Sequence, residues 1–174
     1  MGINEEILSE GDQYGRNLLV IFVTVGSQKF QFNRLLKAVD ELRTEEAVFA
    51  QTGYSDYQPQ NYKYKDFLDR SEYADAIKKA DIVITHGGTG AIIGAVKQGK
   101  KVIAVPRLAK YGEHVDDHQI QLVQQFDELN LIYACIDSDL QKALEIVKKT
   151  VYQPYQSNTD SIIKNLEEYF GDLQ

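Results

Sequence analysis

Residues 82–94 read Ile-Val-Ile-Thr-His-Gly-Gly-Thr-Gly-Ala-Ile-Ile-Gly, a β-branched strand that passes through a glycine turn straight into an apolar helix. No other stretch limits the fold so strongly. A strand without polar alternation must be covered on both faces, which points to a parallel sheet between layers of helices. The same stretch has the layout of a phosphate cradle. Glycines let the backbone approach an anion, and the N–H groups of a helix's first turn are unpaired and lie at the positive end of its dipole. Taken alone, Gly87, Gly88 and Gly90 are equally consistent with a simple tight turn.

The unit recurs along the chain. Leu18–Val25 is a continuous apolar run closed by Gly26, Phe32–Leu42 has helical spacing, and Ala47–Thr52 is a second strand closed by Gly53. Asn61–Tyr64 reads as a third strand, Ser71 is placed to cap a helix over Glu72–Ala80, and Ile82–Thr85 is the fourth strand. A helix over Thr89–Gln98, a strand over Val102–Val105, a loop from Pro106 to Val115, a helix over Asp116–Phe126 and a strand over Leu131–Ala134 follow. Asp137 or Ser138 is placed to cap a helix over Leu140–Thr150. The expected fold is α/β: a doubly wound, Rossmann-like parallel sheet of about six strands.

If the strands take the order 3-2-1-4-5-6, the first and fourth lie side by side where the winding reverses, and ligands bind beyond their carboxyl ends. Val25-Gly26-Ser27 leaves the first strand and His86-Gly87-Gly88-Thr89-Gly90 leaves the fourth. Two turns in one crevice favour a phosphorylated ligand over a bare turn. A dinucleotide fingerprint belongs on the first strand, with an acidic residue near the end of the second. Here the longer glycine run follows the fourth strand, and the second ends Gln51-Thr52-Gly53, which disfavours NAD. A P-loop needs Gly-Lys-Ser/Thr, and Gly90-Ala91-Ile92 supplies no lysine, which argues against kinase or ATPase chemistry.

A net charge of −7 provides no basic face for nucleic acid. No apolar run reaches the roughly 18 residues of a membrane span, and no basic-then-hydrophobic leader opens the sequence, so neither span nor signal peptide is expected. The single Cys135 has no internal disulfide partner and fits a reducing cytosol. One domain, residues 18–153, is expected. Residues 1–17 are polar and acidic and are read as a flexible extension, an expression remnant or a short added helix. In residues 154–174, Ile162, Ile163, Leu166, Tyr169 and Phe170 share one helical face, which is read as docking on a partner.

Three segments occur in a set order: Thr85-His86-Gly87-Gly88-Thr89-Gly90, then Gly99-Lys100-Lys101-Val102-Ile103-Ala104-Val105-Pro106, then Asp116-Asp117-His118-Gln119. Together they resemble the C-terminal, donor-binding half of GT-B glycosyltransferases. There a His-Gly/Ala-Gly turn, a Gly-Lys-Pro-hydrophobic-Pro strand and a terminal Asp/Gln motif bind the nucleotide sugar. With Ile21–Ser27 at the front, the likeness covers nearly the whole chain after residue 18. It is similar in particular to the family 28 C-terminal domain and to the small subunits of split glycosyltransferases, and Glu113–Gln119 looks most like bacterial capsule and exopolysaccharide members.

The resemblance implies a UDP-sugar donor held at Gly26, Ser27, Gly87, Gly88, Thr89, Gly90 and His118, with Asp117 and Gln119 at the hydroxyls of the transferred hexose. Backbone N–H dipoles can stabilise the charge of departing UDP without a metal, so neither metal nor cofactor is expected. His86 either donates to the donor or is a polar strand end. Arg107, after Pro106, either meets a diphosphate bidentately or is a solvated loop arginine. Glu113 or His114 is placed to reach the acceptor, Glu113 being the candidate base beside His86. Asp116 is read as a helix cap, and Phe67 as either a wall for uracil or ordinary core. Tyr54, Tyr57, Tyr62 and Tyr64 form a candidate partner surface. Lys97, Lys100 and Lys101 are read as complements of a helix C-terminus. One position departs from the pattern: the glutamate that relatives place eight residues past the His, to hold the ribose, is Gly94 here.

These readings converge on an inverting, UDP-sugar-dependent glycosyltransferase subunit. It would transfer a hexose to a polyprenyl-diphosphate-linked glycan in capsule or exopolysaccharide synthesis. It would act at the cytoplasmic membrane face through a membrane-anchored, acceptor-binding partner. Two other readings stay open: a non-catalytic nucleotide-binding activator, and an NADP-dependent reductase with Arg107 on the 2′-phosphate.

Overall fold

Alternate residues of the central strands enter different cores, and that alternation organises the molecule. The computed structural model describes residues 19–157 except Ser138, so the expected helix within residues 154–174 and the extension 1–17 lie outside the described residues or nearly so. The described residues form six strands: β1 (Val20–Thr24), β2 (Ala47–Gln51), β3 (Lys63–Lys65), β4 (Ile82–His86), β5 (Lys101–Val105) and β6 (Tyr133–Ala134). Among the described residues five α-helices alternate with them: α1 (Asn33–Asp40), α2 (Arg70–Lys79), α3 (Thr89–Val96), α4 (His118–Glu128) and α5 (Leu140–Lys149). The strand order is β3-β2-β1-β4-β5-β6 and every pairing is parallel, as the sequence reading anticipated.

Ile21, Val23, Ile82, Ile84, Ile103 and Val105 point to one side, where Leu35, Leu36 and Val39 of α1 and Leu140, Ala143, Leu144 and Val147 of α5 close over them. Phe22, Val83, Val102 and Ala104 point to the other, under Ile77 of α2, Ile92, Ala95 and Val96 of α3 and Val123 of α4. A period of two on a sheet covered on both faces therefore reads as an unbroken apolar run. Cys135 is fully buried just after β6.

β3 breaks that rule. Its three residues are all exposed, and Lys63 and Lys65 flank Tyr64 on the sheet edge. Charge along an edge strand is a common guard against pairing with other chains.

Two caps differ from the expected ones. α2 is capped by Asp69, whose Oδ1 accepts from Glu72 N at 2.8 Å while Glu72 Oε2 accepts from Asp69 N at 3.0 Å, so Ser71 lies inside the helix. The Asp-x-x-Glu box satisfies two backbone donors at once, which a lone Ser71 cap would not. α5 is capped by Asp139, which accepts from Lys142 N at 3.0 Å. Of the lysines after α3, Lys100 and Lys101 do complement helix C-termini, but those of other helices. Lys100 Nζ donates to Lys78 O at 2.7 Å at the end of α2, and Lys101 Nζ donates to Val147 O and Lys148 O at 3.0 and 2.8 Å at the end of α5.

Candidate functional site

β1 and β4 run side by side, with Thr24 opposite Thr85, so the turns that leave them open at one place. His86, the last residue of β4, is 7% exposed and lies between the two turns. A Cβ on Gly26 would stand 2.6 Å from His86 Cε1, and one on Gly88 would stand 2.3 Å from His86 Nε2. Both positions must therefore be bare for the imidazole to fit, and Gly26 also has a φ of +76°, which favours glycine independently. The glycines of the first and fourth turns thus share a reason: they flank one ring.

α3 begins immediately beyond, with Gly88 as its N-cap and no side chain capping it. Thr89 and Gly90 are exposed, so first-turn N–H groups of this helix face outward without a partner of their own element. A Cβ on Gly90 would meet nothing within 4 Å, unlike its neighbours in the run. Gly87 is different from the rest of the turn. Its N–H donates to Gln119 Oε1 at 3.0 Å inside the protein, so the expectation that it faces a ligand is corrected. Gly26 N donates to Thr24 Oγ1 at 3.3 Å, and Ser27 is exposed beside it.

Gln119 is 2% exposed, and the same Oε1 also accepts from Arg107 N at 3.0 Å. Its oxygen pins the turn after β4 to the turn after β5; it is not turned to a hexose hydroxyl. Replacing Gln119 with Ala would orphan two buried N–H donors, each costing about 1–3 kcal/mol. We expect Gln119→Ala to lose at least about 2 kcal/mol in urea unfolding, and Gln119→Glu, which keeps the acceptor, to lose less.

Arg107 fits neither of its expected roles. It is fully buried, and its Nη2 donates to Val25 O at 2.6 Å while Nη1 reaches Phe30 O, Gln31 O and Glu113 O at 3.0 to 3.2 Å. The guanidinium lies over the Phe32 ring at 4.7 Å, and only its Nε lacks a partner. A side chain so engaged fastens the segment after β1 from beneath and is unavailable to a 2′-phosphate, which removes the residue that supported the reductase reading. Burial pulls its pKa down to about 10, which leaves it a cation at neutral pH behind the crevice.

Glu113 is likewise corrected. It is 1% exposed, Arg34 Nε and Nη2 donate to its two oxygens at 2.9 and 2.8 Å, and Leu108 N donates to Oε2 at 2.9 Å. Both oxygens hold the loop after β5 against α1, so the carboxylate is committed to a buried ion pair and is not set as a base facing an acceptor. The partner, Arg34, lies 79 residues away in sequence, and no local pattern announces it.

Most of the remaining candidates sit at the surface. Asp117 is the N-cap residue of α4 without capping it; its Oδ1 accepts from Ala109 N at 2.7 Å. Asp116 Oδ1 accepts from His118 N at 3.1 Å, and His118 is exposed. Phe67 is 40% exposed and packs edge-to-face on Tyr54 at 5.0 Å, so it is not ordinary core. Of the tyrosine cluster, Tyr54 and Tyr64 are exposed, whereas Tyr57 and Tyr62 pack on the core and donate to Asp40 Oδ2 and Leu36 O. Gly94 faces open space, with nothing within 4 Å of its would-be Cβ.

Burial holds His86 down at about 4, and the Arg107 cation adds to the effect. The imidazole is therefore neutral at pH 7 and acts as a neutral hydrogen-bonding group. Its ordinary value in an unfolded chain is about 6.5, so the unfolded state takes up the proton first as pH falls. Stability from this group is complete above that value and drains away as pH drops towards 4, by about 3 kcal/mol in full. Urea unfolding at pH 7 and pH 4.5 should show this loss, and His86→Gln should flatten it; parallel profiles for the two proteins would contradict the assignment.

Residues 20–169 match the family model of the glycosyltransferase family 28 C-terminal domain. The UDP-N-acetylglucosamine transferase subunit ALG13 of Homo sapiens is 28% identical over 126 residues, covering 66% of this chain and 11% of its own length. Its Mus musculus counterpart is 26% identical over 126 residues, covering 66% and 10%. The chain thus spans about a tenth of the length of these curated relatives. Among solved structures, the calicheamicin glycosyltransferase CalG4 superposes with a TM-score of 0.58 at 18% identity, over 78% of this chain and 35% of that one. The solution structure of ALG13 gives 0.57 at 17% identity, over 86% and 94%. MurG of Acinetobacter baumannii gives 0.53 at 20% identity, over 83% and 44%. At these identities the structural likeness bears on the fold, which is that of a GT-B half-domain.

Proposed function

The chain belongs to the glycosyltransferase family 28 C-terminal domain family, and from that premise we propose that it is the donor-binding half of a UDP-sugar-dependent transferase completed by a separate acceptor-binding subunit. The observation that carries the reading is the uncapped, outward-facing start of α3 beside the turn after β1, at the point where the sheet reverses its winding. A diphosphate there meets the N–H groups of Thr89 and Gly90, the helix dipole and, from behind, the buried Arg107 cation.

In the reaction the acceptor hydroxyl attacks C1 of the sugar as the bond from C1 to the UDP oxygen breaks, inverting the centre. The hydroxyl proton passes to a base, which we assign to the partner because Glu113 is locked by Arg34. Negative charge grows on the β-phosphate as UDP departs, so fixed dipoles at Gly88–Gly90 stabilise the transition state more than the bound donor. His86, neutral between the two turns, sets their spacing and offers a hydrogen bond without adding charge.

UDP-N-acetylglucosamine is the first donor to test, since the human and mouse relatives are named as its transferase subunits; UDP-galactose and UDP-glucuronate follow. The proposed acceptor is a polyprenyl-diphosphate-linked glycan of a capsule or exopolysaccharide. No helix among the described residues is long and apolar enough to cross a membrane, so a peripheral place at the cytoplasmic membrane face would come from a membrane-anchored partner. Residues 154–174 are the proposed docking element. Calorimetry of the chain against UDP and these three UDP-sugars, with NADPH as a control, should give binding to UDP and selectivity among the sugars. Transfer should require the partner. Binding of NADPH in place of UDP would overturn the reading, and donor binding without transfer in the reconstituted pair would favour the activator role.

A further inference from the structure

The loop between β5 and α4 gathers three side chains that neither fasten the sheet nor enter the glycine turns. His114, Asp116 and His118 each present one ligand atom, and these atoms all lie within 4.8 Å of one another. His114 Nδ1 stands 3.3 Å from Asp116 Oδ1, and His118 Nδ1 makes a close contact with that same oxygen. The spacing i, i+2, i+4 through the bend that precedes α4 brings all three together. The rings are also held in place: His114 packs on Phe30 at 5.7 Å and meets His118 edge-to-face at 4.8 Å. The geometry points to a divalent metal site on this loop, formed by His114 Nδ1, His118 Nδ1 and Asp116 Oδ1.

Metal ligands at about 2.0–2.1 Å in a tetrahedron stand about 3.4 Å apart. The His114 to Asp116 separation is already close to that value, so the His118 ring must draw back from the carboxylate and His114 Nδ1 must exchange its 3.4 Å hydrogen bond from Asp116 N for the metal. Two imidazoles and one carboxylate select borderline ions such as Zn²⁺ or Co²⁺ over Mg²⁺ or Ca²⁺. Three protein ligands leave a coordination position for water or a ligand oxygen. The dipole of α4 opposes a cation at its start, but Asp116 and Asp117 stand there, and a coordinate bond outweighs a partial charge. Competing ligands are few. The chain has three histidines and one cysteine, and the two outside the cluster, His86 and Cys135, are buried. Ligation would tie the loop to the first turn of α4, one residue before Gln119 and its hydrogen bond to Gly87 N.

The site stands independently of the proposed donor, because metal binding is read without any sugar. Full-length, untagged, chelator-treated protein titrated with Co²⁺ should develop the visible bands of a low-coordinate site, and one equivalent of Zn²⁺ should bleach them while millimolar Mg²⁺ does not. His118→Ala, which alters an exposed ring, and Asp116→Asn should each weaken Zn²⁺ binding at least tenfold with unchanged far-ultraviolet circular dichroism. His114→Ala should do the same. An absence of Co²⁺ bands, or Zn²⁺ affinity unchanged in both His118→Ala and Asp116→Asn, would overturn the assignment and leave the cluster as two imidazoles hydrogen-bonded to a carboxylate.

Discussion

Gly90→Asp is expected to abolish sugar transfer in the reconstituted enzyme while leaving the fold intact. A Cβ at this position meets nothing within 4 Å, and the second residue of α3 is exposed, so the new side chain has room. An acid in the first turn of a helix interacts favourably with the dipole, so thermal stability should hold or rise slightly. The same carboxylate would stand within about 4 Å of the proposed diphosphate. Like charges at that distance near a protein surface repel by several kcal/mol, which converts to a loss of donor affinity on the order of a hundredfold or more. Gly90→Ala is the control, because it fills the same space without charge and should bind UDP nearly as the parent does. Calorimetry with UDP decides between them: full binding by Gly90→Asp would remove the start of α3 from the site. The equivalent change at Gly88 is less informative, since any Cβ there collides with the His86 ring and loss of activity would report only on packing.

Arg107→Met should produce the largest loss of stability of any single change considered. The guanidinium donates to the carbonyls of Val25, Phe30, Gln31 and Glu113, and methionine leaves all of them without that donor in a buried place. The cost of orphaned polar groups and of the lost network sums to at least about 3 kcal/mol, enough to unfold a domain of marginal stability. Arg107→Lys should recover only part of this, because a single ammonium cannot span carbonyls on both sides of a planar fork. Urea midpoints of the three proteins measure the effect directly. An Arg107→Met protein with an unchanged midpoint would show that these hydrogen bonds contribute nothing net.

These two positions illustrate what the order of residues reveals and what it hides. Gly90 was legible as part of a cradle because a strand, a glycine run and a helix are contiguous. Arg107 was legible only as a basic residue after Pro106, and proximity to the strand ends suggested a phosphate. Apart from Glu113 O, the carbonyls it touches come from segments 76 to 82 residues away, and only the folded chain brings them round it. The same holds for Glu113, read as a possible base and found clamped by Arg34, and for Gln119, read as a hexose contact and found stapling two turns. The Asp69 cap is the opposite case. Asp-x-x-Glu at residues 69–72 was fully local and could have been found by spacing alone.

The sequence by itself determined the layers, the parallel sheet and, once the common strand order was assumed, the place where two turns meet, because unbroken apolar strands, amphipathic spacing along a helix and the handedness of the crossover are properties of neighbouring residues. Only the tertiary structure decided which polar side chains remain available. Whether a guanidinium, a carboxylate or an amide faces a ligand depends on which buried backbone groups lack partners around it, and those groups arrive from distant segments once β1, β4 and β5 are in register.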